Sequence, residues 1–305
     1  MGPAKEKVLV TGGTGFVGTN LVSILEKRKV KIRLLTRHRK TSFPPSASIE
    51  ITQADLEKKL SPKIFDGVEC VFHFASFVPK SSSEDRAAKA RAGNITATKN
   101  LFKALEKTLV KQVVFASTAE VYGIPSQIPV SEKSRPRPRS NYAKTKLQSE
   151  KIALEFAARK KIPVAILRFT TLYGPGDESS KAIPSFTKAA IEGKPLSMSG
   201  SGKQKRDYLF VGDAAHAAML AWTRKANGVF NIGGPGPISI GVLAKKITAI
   251  ARSRSKTIHS TADSKEYDFT LDWRKAKKTF GFKPRTSLDA GIKKVLEWQA
   301  KKSRR

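Results

Sequence analysis

Short apolar segments alternate with longer amphipathic segments along the first half of the chain. The apolar segments lie at residues 7–11, 30–36, 49–52, 68–75, 112–117 and 164–169. Most are continuous runs of apolar residues, which is typical of strands covered on both faces of a parallel sheet. The pattern therefore predicts parallel strands.

Helical spacing occurs between several of these segments. Residues 17–28 place Leu21, Ile24 and Leu25 on one face. Residues 83–107 and 141–160 are also predicted to be helices. Strands that alternate with helices in this way predict an α/β fold built on a doubly wound parallel sheet.

The rhythm changes after Thr170. Loops rich in glycine and proline, with the sequences YGPGD, SGSGKQ and GGPGP, separate shorter elements. This spacing predicts a second, smaller lobe that is assembled from several excursions of the chain. Neither an internal repeat nor a low-complexity domain is present in the sequence.

The composition indicates a protein with a substantial core. The 305 residues are 39% hydrophobic, and no apolar run approaches the ~18–20 residues of a membrane span. The first predicted strand begins too early to leave room for a secretory signal. The single cysteine, Cys70, lies in an apolar run and is expected to be a core thiol. We therefore expect a cytoplasmic protein with no membrane partner.

The charge is strongly positive. There are 58 Lys and Arg residues against 25 Asp and Glu residues, a formal net charge of +33. Such an excess attracts polyanions and phosphate-bearing ligands. Basic clusters lie at residues 37–40, 135–139, 203–206, 274–278 and 301–305. They lack the aromatic residues of a single-strand binding platform, so a solvated surface is favoured and a nucleic-acid contact stays open.

A glycine-rich loop, TGGTGFVG, joins the first strand to the first helix. Gly12 permits a tight turn, Gly15 lets the backbone approach a pyrophosphate, and Gly18 allows close packing of helix on strand. The N–H groups of the following helix would face the phosphate. The loop predicts dinucleotide binding, and its spacing is similar to that of the short-chain dehydrogenase/reductase superfamily.

The end of the second strand bears on the choice of cofactor. An acidic residue is common there and accepts a hydrogen bond from the adenosine ribose. This chain instead has Thr36 and Arg37, followed by Arg39 and Lys40. A guanidinium group binds a 2′-phosphate that a carboxylate would repel. We therefore predict NADP, with NAD less favoured; the alternative is that a basic protein carries arginines here by composition alone.

Tyr142 and Lys146, in NYAKTK, are one helical turn apart. A tyrosine with a pKa of about 10 is a poor base at neutral pH. A neighbouring ammonium group and a positive nicotinamide ring would lower the pKa of Tyr142. By itself such a pair is more often a helix surface.

Hydroxyl side chains follow the fifth apolar segment, in ASTAEVYG. Ser117 and Thr118 would emerge at the carboxyl end of a parallel sheet, where ligands of this architecture bind. Thr118 would donate a hydrogen bond to a substrate oxygen that becomes charged. The alternative reading for both residues is capping of the strand end.

Motifs along residues 8–298 resemble those of the extended short-chain dehydrogenases/reductases, in the NAD(P)-dependent nucleotide-sugar epimerase/dehydratase family of the UDP-glucose 4-epimerase type. The matching motifs are TGGTGFVG, VFHFAS, GNITAT, STAEVYG, YAKTK, LRFTTLYGPGD and GSGKQKRDYLFVGDAAHA. The resemblance implies an enzyme with a Rossmann-type doubly wound parallel sheet and a smaller, interwoven C-terminal substrate-binding lobe. The NADP-binding domain would comprise residues 1–170, with about 205–232 returning to it, and the lobe residues 171–305.

The resemblance also assigns site residues. Thr118, Tyr142 and Lys146 would form the catalytic triad, with Glu120 as a further catalytic candidate. The cofactor would be bound by Gly12, Gly15, Phe16, Val17, Gly18, Thr36, Arg37, Asp55, Leu56, Phe74, Ala75, Ser76, Asn94, Tyr142 and Lys146. The alternative for Asp55 is a helix N-cap.

The nucleotide-sugar substrate would contact Thr118, Thr171, Arg206 and Lys265. Arg206 offers a planar donor fork for a diphosphate. Its alternative is a surface ion pair with Asp207 or Asp213. The resemblance further implies a homodimer, in which residues 88–107 and 142–160 form a four-helix interface.

Departures from the family pattern narrow the range of reactions expected. Thr171 replaces an asparagine near the diphosphate, and Ala119-Glu120 lacks the Asp-Glu pair that a dehydratase uses. Dehydration is therefore disfavoured. An epimerase or a ketoreductase is expected; a decarboxylase that uses Glu120, a small-ketone reductase and a reductase-like RNA-binding protein stay as alternatives.

Overall fold

The computed structural model describes residues 6–38, 43, 46–260 and 266–303. Its strands are β1 (Lys7–Thr11), β2 (Lys31–Thr36), β3 (Ile49–Gln53), β4 (Val68–His73), β5 (Gln112–Thr118), β6 (Val164–Phe169), β7 (Thr171–Tyr173), β8 (Leu196–Ser199), β9 (Lys205–Phe210), β10 (Gly228–Ile232), β11 (Pro237–Ser239) and β12 (Thr257–Ser260). Its α-helices are α1 (Phe16–Lys27), α2 (Ala87–Ala90), α3 (Ala97–Leu105), α4 (Asn141–Lys160), α5 (Ala182–Ile191), α6 (Val211–Thr223), α7 (Ile240–Ala251), α8 (Arg274–Phe280) and α9 (Leu288–Ser303). Shorter turns of 3₁₀ helix lie at Pro62–Phe65, Ser82–Glu84 and Ala119–Tyr122, and a π-helical turn lies at Arg91–Thr96.

Seven parallel strands form the main sheet, in the order β10-β6-β5-β4-β1-β2-β3. Val10 of β1 is in register with Leu34 of β2 on one side and with Phe72 of β4 on the other. The strand order reverses between β1 and β4, which opens a crevice at their carboxyl ends. This arrangement confirms the predicted α/β fold.

The sheet has a separate apolar core on each face, because alternate residues of a strand point to opposite sides. Val8 and Val10 pack in one cluster with Leu21 of α1 and the alanine-rich face of α6. Leu9 packs in the other cluster with Leu101 of α3 and residues of α4. Helices therefore cover both faces, and the functional side chains are left to the strand ends.

Residues beyond Thr170 build a smaller lobe and also extend the main sheet. Strands β11, β9 and β7 form one small sheet, and β12 and β8 form another. A third core cluster includes Tyr173, Phe186 and Leu243. β10 pairs with β6 in the main sheet, and α6 packs against α1. The chain thus crosses between the two parts more than once.

The predicted bounds of β1, α4 and β6 agree with the bounds in the structure. The predicted helix at residues 83–107 needs correction, because α2 begins at Ala87 and α3 ends at Leu105, with the π-helical turn between them. A Cβ on Gly93 would lie 2.8 Å from the Phe77 Cβ, so the turn packs closely against the segment that follows β4. Sequence spacing gives no sign of that contact.

None of the helices within the described ranges is long and apolar enough to cross a membrane. Lys144 and Leu154 are exposed on α4, and Lys99 and Lys103 are exposed on α3. Pairing of two copies through these helices stays a prediction.

The core formed by α3 can be tested with two matched substitutions. Leu101 is fully buried, and Leu109, just after α3, is 92% exposed. Leu101→Ala should lower the free energy of unfolding by about 2–5 kcal/mol, because it leaves a cavity. Leu109→Ala should change it by less than about 0.5 kcal/mol. Urea unfolding measures both; similar losses would contradict the packing of α3.

Candidate active site

The glycine loop forms a cradle between β1 and α1. Gly12 has φ of +67°, and a Cβ on Gly18 would lie 2.1 Å from the Gly12 carbonyl oxygen. Gly15 is the N-cap of α1, and neither a side-chain cap nor an acidic residue occupies the first turn. The first N–H groups of α1 are therefore available to an anion. The cradle fits the pyrophosphate of a dinucleotide.

A cavity of about 840 Å³ opens from this cradle along the carboxyl edge of the sheet. It brings together many of the predicted site residues: Gly12, Gly15, Phe16, Val17, Gly18, Phe74, Ser76, Thr118, Glu120, Tyr142, Lys146, Thr171 and Arg206. Six others lie outside its lining: Thr36, Arg37, Asp55, Leu56, Ala75 and Asn94. Lys265, Arg39 and Lys40 fall outside the described residues.

Thr118 and Tyr142 meet where the end of β5 approaches the first turn of α4. Both are buried, at 7% and 8% exposure. Burial raises the pKa of Tyr142, the Glu120 carboxylate raises it further, and a hydrogen bond with the Thr118 side chain opposes the increase. The pKa of Tyr142 is therefore raised where the sequence predicted a lowered one, because burial is the largest influence on the phenol, and Tyr142 is a neutral phenol.

Lys146 lies one turn further along α4 and is also buried. Burial lowers the pKa of its ammonium to about 7, against the opposing charge of Glu150. The Nζ atom lies 4.4 Å from the centroid of the Phe115 ring. This lysine consequently changes its protonation state near neutral pH.

His73 lies beside Lys146 and stays neutral. Burial, and then the charge of Lys146, lower the pKa of His73 to about 3. Its Nδ1 lies 2.8 Å from the Thr11 Oγ1, and its Nε2 lies 3.1 Å from the Thr98 Oγ1. Both ring nitrogens are thus occupied within the protein, and His73 supports the wall rather than the chemistry.

A buried ion pair lies behind the catalytic side chains. The Arg168 Nη2 and Nε atoms lie 2.6 and 3.0 Å from the two carboxylate oxygens of Glu150. The Ser117 hydroxyl donates to the same carboxylate, and the Arg168 Nη1 donates to the Tyr122 oxygen at 2.9 Å. Ser117 directly precedes Thr118, so the network fixes β5 against α4.

Glu120 faces the cavity next to Tyr142. Its side chain is exposed to the cavity, but surrounding protein atoms still bury much of the carboxyl group. This burial raises the pKa of the Glu120 carboxyl, and the nearby charge of Asp85 raises it further. The charge of Lys181 and a hydrogen bond from Ser140 oppose the increase. A carboxyl with a raised pKa beside the reacting tyrosine is able to exchange protons.

The predicted adenosine end lies at the tip of β2. The Thr36 Oγ1 accepts from the His38 N–H at 3.3 Å. Arg37 is exposed and lies 3.9 Å from Glu57. Asp55 forms a turn rather than a helix cap, since its Oδ1 accepts from the Glu57 N–H at 3.0 Å, and the Leu56 carbonyl accepts from Asn100. The strand end itself carries no carboxylate.

Asn94 lies behind the cavity wall. Its Oδ1 accepts from the Ser76 hydroxyl at 2.7 Å and from the Phe77 N–H at 2.8 Å. Its Nδ2 donates to the Phe77 carbonyl and to the Thr145 hydroxyl. The amide therefore uses all its hydrogen-bonding positions within the protein, and Ser76 stands between it and the cavity.

Arg206 lines the cavity together with Tyr267. Its guanidinium donates to the Lys205 and Tyr267 carbonyls and lies 4.5 Å from the centroid of the Tyr267 ring. The alternative of an ion pair with Asp207 or Asp213 is wrong. The Asp207 carboxylate accepts from Gly234 N–H, and that of Asp213 from two backbone N–H groups.

Several lining residues were not predicted from the sequence. They include the cations Lys80, Arg139 and Lys181. Arg139 had a detectable signal, because it directly precedes Ser140, the N-cap of the helix that carries Tyr142. Lys80 and Lys181 lie in segments whose place depends on long-range packing, so spacing alone does not locate them.

A dinucleotide cradle with an adjacent Thr–Tyr–Lys set defines an enzyme of the short-chain dehydrogenase/reductase class. The profile of the NAD dependent epimerase/dehydratase family matches residues 8–233. The chain belongs to this family, which confirms the predicted enzyme class and a nicotinamide dinucleotide as cofactor.

Individual relatives carry different activities. The chain is 30% identical to a UDP-N-acetyl-alpha-D-glucosaminuronate decarboxylase of Bacillus cytotoxicus, covering 96% of this chain and 98% of the relative. It is 31% identical to a putative UDP-glucose 4-epimerase of Methanocaldococcus jannaschii, covering 97% and 99%. The structure of MoeE5 in complex with UDP-glucuronic acid and NAD superposes with a TM-score of 0.87 at 31% identity, covering 97% and 99%.

The lowered pKa of Lys146 makes stability depend on pH. Between a folded pKa of about 7 and the ordinary value of 10.5, the unfolded chain binds more protons. The free energy of unfolding should therefore rise with pH across this window. Lys146→Met removes this contribution, so the stability of wild type relative to the variant should increase from about pH 7 to about pH 9.

Urea unfolding at several pH values measures this difference. Lys144→Met is the control, because Lys144 is exposed on the same helix. Its difference from wild type should stay constant with pH. A constant difference for Lys146→Met as well would contradict a buried, readily deprotonated lysine.

Proposed function

We propose that the protein is an NAD(P)-dependent 4-epimerase of nucleotide-linked sugars. The observation that carries this proposal is that Thr118, Tyr142 and Lys146 line one cavity together with the glycine cradle and Arg206. A sugar placed against Tyr142 would have the cofactor on one side and room for its nucleotide on the other. The ketoreductase alternative uses the same residues and consumes the cofactor.

The chain's own residues would move one proton. When bound, the cofactor accepts a hydride from the sugar carbon and later returns it. The Tyr142 oxygen would take the proton of the sugar hydroxyl as that carbon is oxidised, and would give it back on reduction. The Lys146 ammonium would stabilise the phenolate form, and the Thr118 hydroxyl would hydrogen-bond the reacting oxygen.

Arg206 and Tyr267 support a nucleotide-linked substrate. A guanidinium with free donor positions suits a diphosphate, and an aromatic ring beside it suits a base. MoeE5 binds UDP-glucuronic acid according to its description. A small ketone would leave this end of the cavity without a partner, so the small-ketone reductase is less favoured. The complete Thr–Tyr–Lys set also disfavours a role as an RNA-binding protein alone.

Glu120 supports a second candidate, decarboxylation of a nucleotide-linked uronic acid. Its raised pKa places a proton-exchanging group next to Tyr142. Arg139 and Lys181 line the same cavity and would hold a sugar carboxylate. The Bacillus cytotoxicus relative is described as a decarboxylase. Both candidates would begin with oxidation of the sugar, for which the cofactor would supply the hydride acceptor and Tyr142 would accept the hydroxyl proton.

A panel of nucleotide sugars distinguishes these functions. Proton NMR should follow UDP-glucose, UDP-N-acetylglucosamine, UDP-glucuronic acid and 4-keto sugars with limiting cofactor. An epimer formed in excess over the cofactor supports the proposal. A pentose with released carbon dioxide supports the decarboxylase, and product equal to the NADPH consumed supports the ketoreductase. Tyr142→Phe should abolish each reaction; turnover that persists in this variant would contradict the assigned proton carrier.

We further propose that NADP is preferred over NAD. The support is the Thr36–Arg37 strand end, which offers a guanidinium and no carboxylate. A 2′-phosphate would compete with the exposed Glu57 carboxylate for Arg37 and carries more negative charge. MoeE5 is described with NAD, so this preference would distinguish the chain from that relative.

Arg37→Ala should weaken NADPH binding by about tenfold or more, the value of a charge-assisted hydrogen bond. NADH binding should change by less than about twofold, because NADH lacks the 2′-phosphate. Fluorescence titration measures both affinities. Lys31→Ala, at the opposite end of β2, controls for loss of positive charge. Equal weakening of NADPH and NADH would refute the preference.

A further inference from the structure

The chain segment that follows β4 extends from the carboxyl end of that strand to a contact with the start of α4. Residues 74–86 run along the cavity and end beside the catalytic helix. There, the Asp85 Oδ2 accepts from the Asn141 N–H at 2.7 Å, and the Asp85 Oδ1 accepts from the Tyr142 N–H at 2.8 Å. The Asn141 Nδ2 donates back to the Asp85 carbonyl at 2.8 Å. Asp85 thus holds the backbone of Tyr142 itself.

These bonds complete the capping of α4. The first N–H groups of a helix have no partner within the helix. The Ser140 Oγ accepts from the Ala143 N–H at 3.0 Å, and the two N–H groups before it are taken by Asp85. A carboxylate is also favoured by the positive end of the helix dipole. The first turn of α4 is therefore fixed by a residue far away in the sequence.

The same segment is attached at two other points. At its beginning, Ser76 is bonded to Asn94, which in turn donates to Thr145 of α4. In its middle, the Lys80 carbonyl accepts from the Ser180 hydroxyl at 3.0 Å, on the loop before α5. The segment also supplies cavity-lining residues, including Lys80. The cavity wall and the catalytic helix are consequently held as one unit.

We propose that Asp85 is a positioning residue for Tyr142. Its carboxylate fixes the first turn of α4, and this sets the phenol against Thr118 and the reacting oxygen. Asp85 does not line the cavity, so it acts through the helix and not by contact with a ligand. The inference rests on the proposed proton transfer by Tyr142 and names a residue on which that transfer depends.

The chemistry of the side chain makes the proposal specific. Both carboxylate oxygens are acceptors, and both are used. Asparagine offers one acceptor and one N–H₂ group, which would face a backbone N–H. Alanine offers none, and glutamate keeps two acceptors on a longer chain. The loss of rate should therefore be largest in Asp85→Ala, smaller in Asp85→Asn and smallest in Asp85→Glu.

The variants should be compared in single-turnover hydride transfer, in steady-state kinetics and in amide hydrogen exchange. The control is Glu84→Gln. Glu84 lies in the same segment, and its carboxylate accepts from the Lys80 N–H at 3.0 Å. This control variant tests whether any substitution in residues 74–86 slows the reaction as Asp85→Asn does. Exchange of a peptide spanning residues 140–146 reports on the start of α4 without requiring a substrate.

Asp85→Asn should lower kcat and the hydride-transfer rate by about tenfold to a hundredfold, the cost of a small misplacement of a reacting group. KM for the nucleotide sugar should change by less than about twofold, since the residues that bind the nucleotide are untouched. Exchange at residues 141–143 should accelerate. Asp85→Glu should recover part of the rate, and Glu84→Gln should match wild type.

The proposal would be overturned by an unchanged kcat in Asp85→Asn, by an equal loss in Glu84→Gln, or by unchanged amide exchange at the start of α4. A fall in kcat matched by an equal rise in KM would also count against it. If wild type turns over no sugar in the panel, the proposed function fails separately. The exchange measurement then still decides whether Asp85 holds the helix.

Discussion

The buried ion pair between Arg168 and Glu150 holds together the elements that carry the catalytic side chains. Arg168 belongs to β6 and Glu150 to α4, and Ser117 of β5 donates to the same carboxylate. Removing one member of such a pair leaves an uncompensated buried charge, which is far more costly than the pair is stabilising. The position of Thr118 relative to Tyr142 therefore depends on charges that never meet the substrate. The same carboxylate also opposes the lowering of the Lys146 pKa by burial.

The sequence predicted the parts of the fold that depend on local pattern. β1, α4 and β6 could be bounded because apolar runs mark the two strands and helical spacing marks the helix. The glycine loop could be placed because only glycine tolerates the approach of Gly18 to the Gly12 carbonyl. The pair Tyr142–Lys146 could be found because helical spacing fixes its geometry. Each of these features is written within a few residues of the chain.

The remaining parts of the site depend on contacts between distant segments. Asp85 caps a helix that begins at Asn141, and Arg206 meets Tyr267 across the small lobe. No spacing rule joins such residues, because their distance is set by packing. Arg168 offered a partial signal, since an arginine inside the apolar run AILRF requires a buried partner. The π-helical turn around Asn94 had no local signal, because its contacts are with Ser76 and Phe77 in another segment of the chain.

The late strand β10 has a consequence for how the chain reaches its folded state. β10 completes the main sheet beside β6, and the alanine-rich helix α6 packs against α1, β5 and β6. A chain ending after Thr170 would leave the edge of β6 open to pairing with another molecule, and it would lack the part of the core on one face of the sheet that α6 provides. Residues 1–170 therefore do not contain the whole of the core that their own strands line. During synthesis, this core can reach the form described above only after residues 211–232 have left the ribosome.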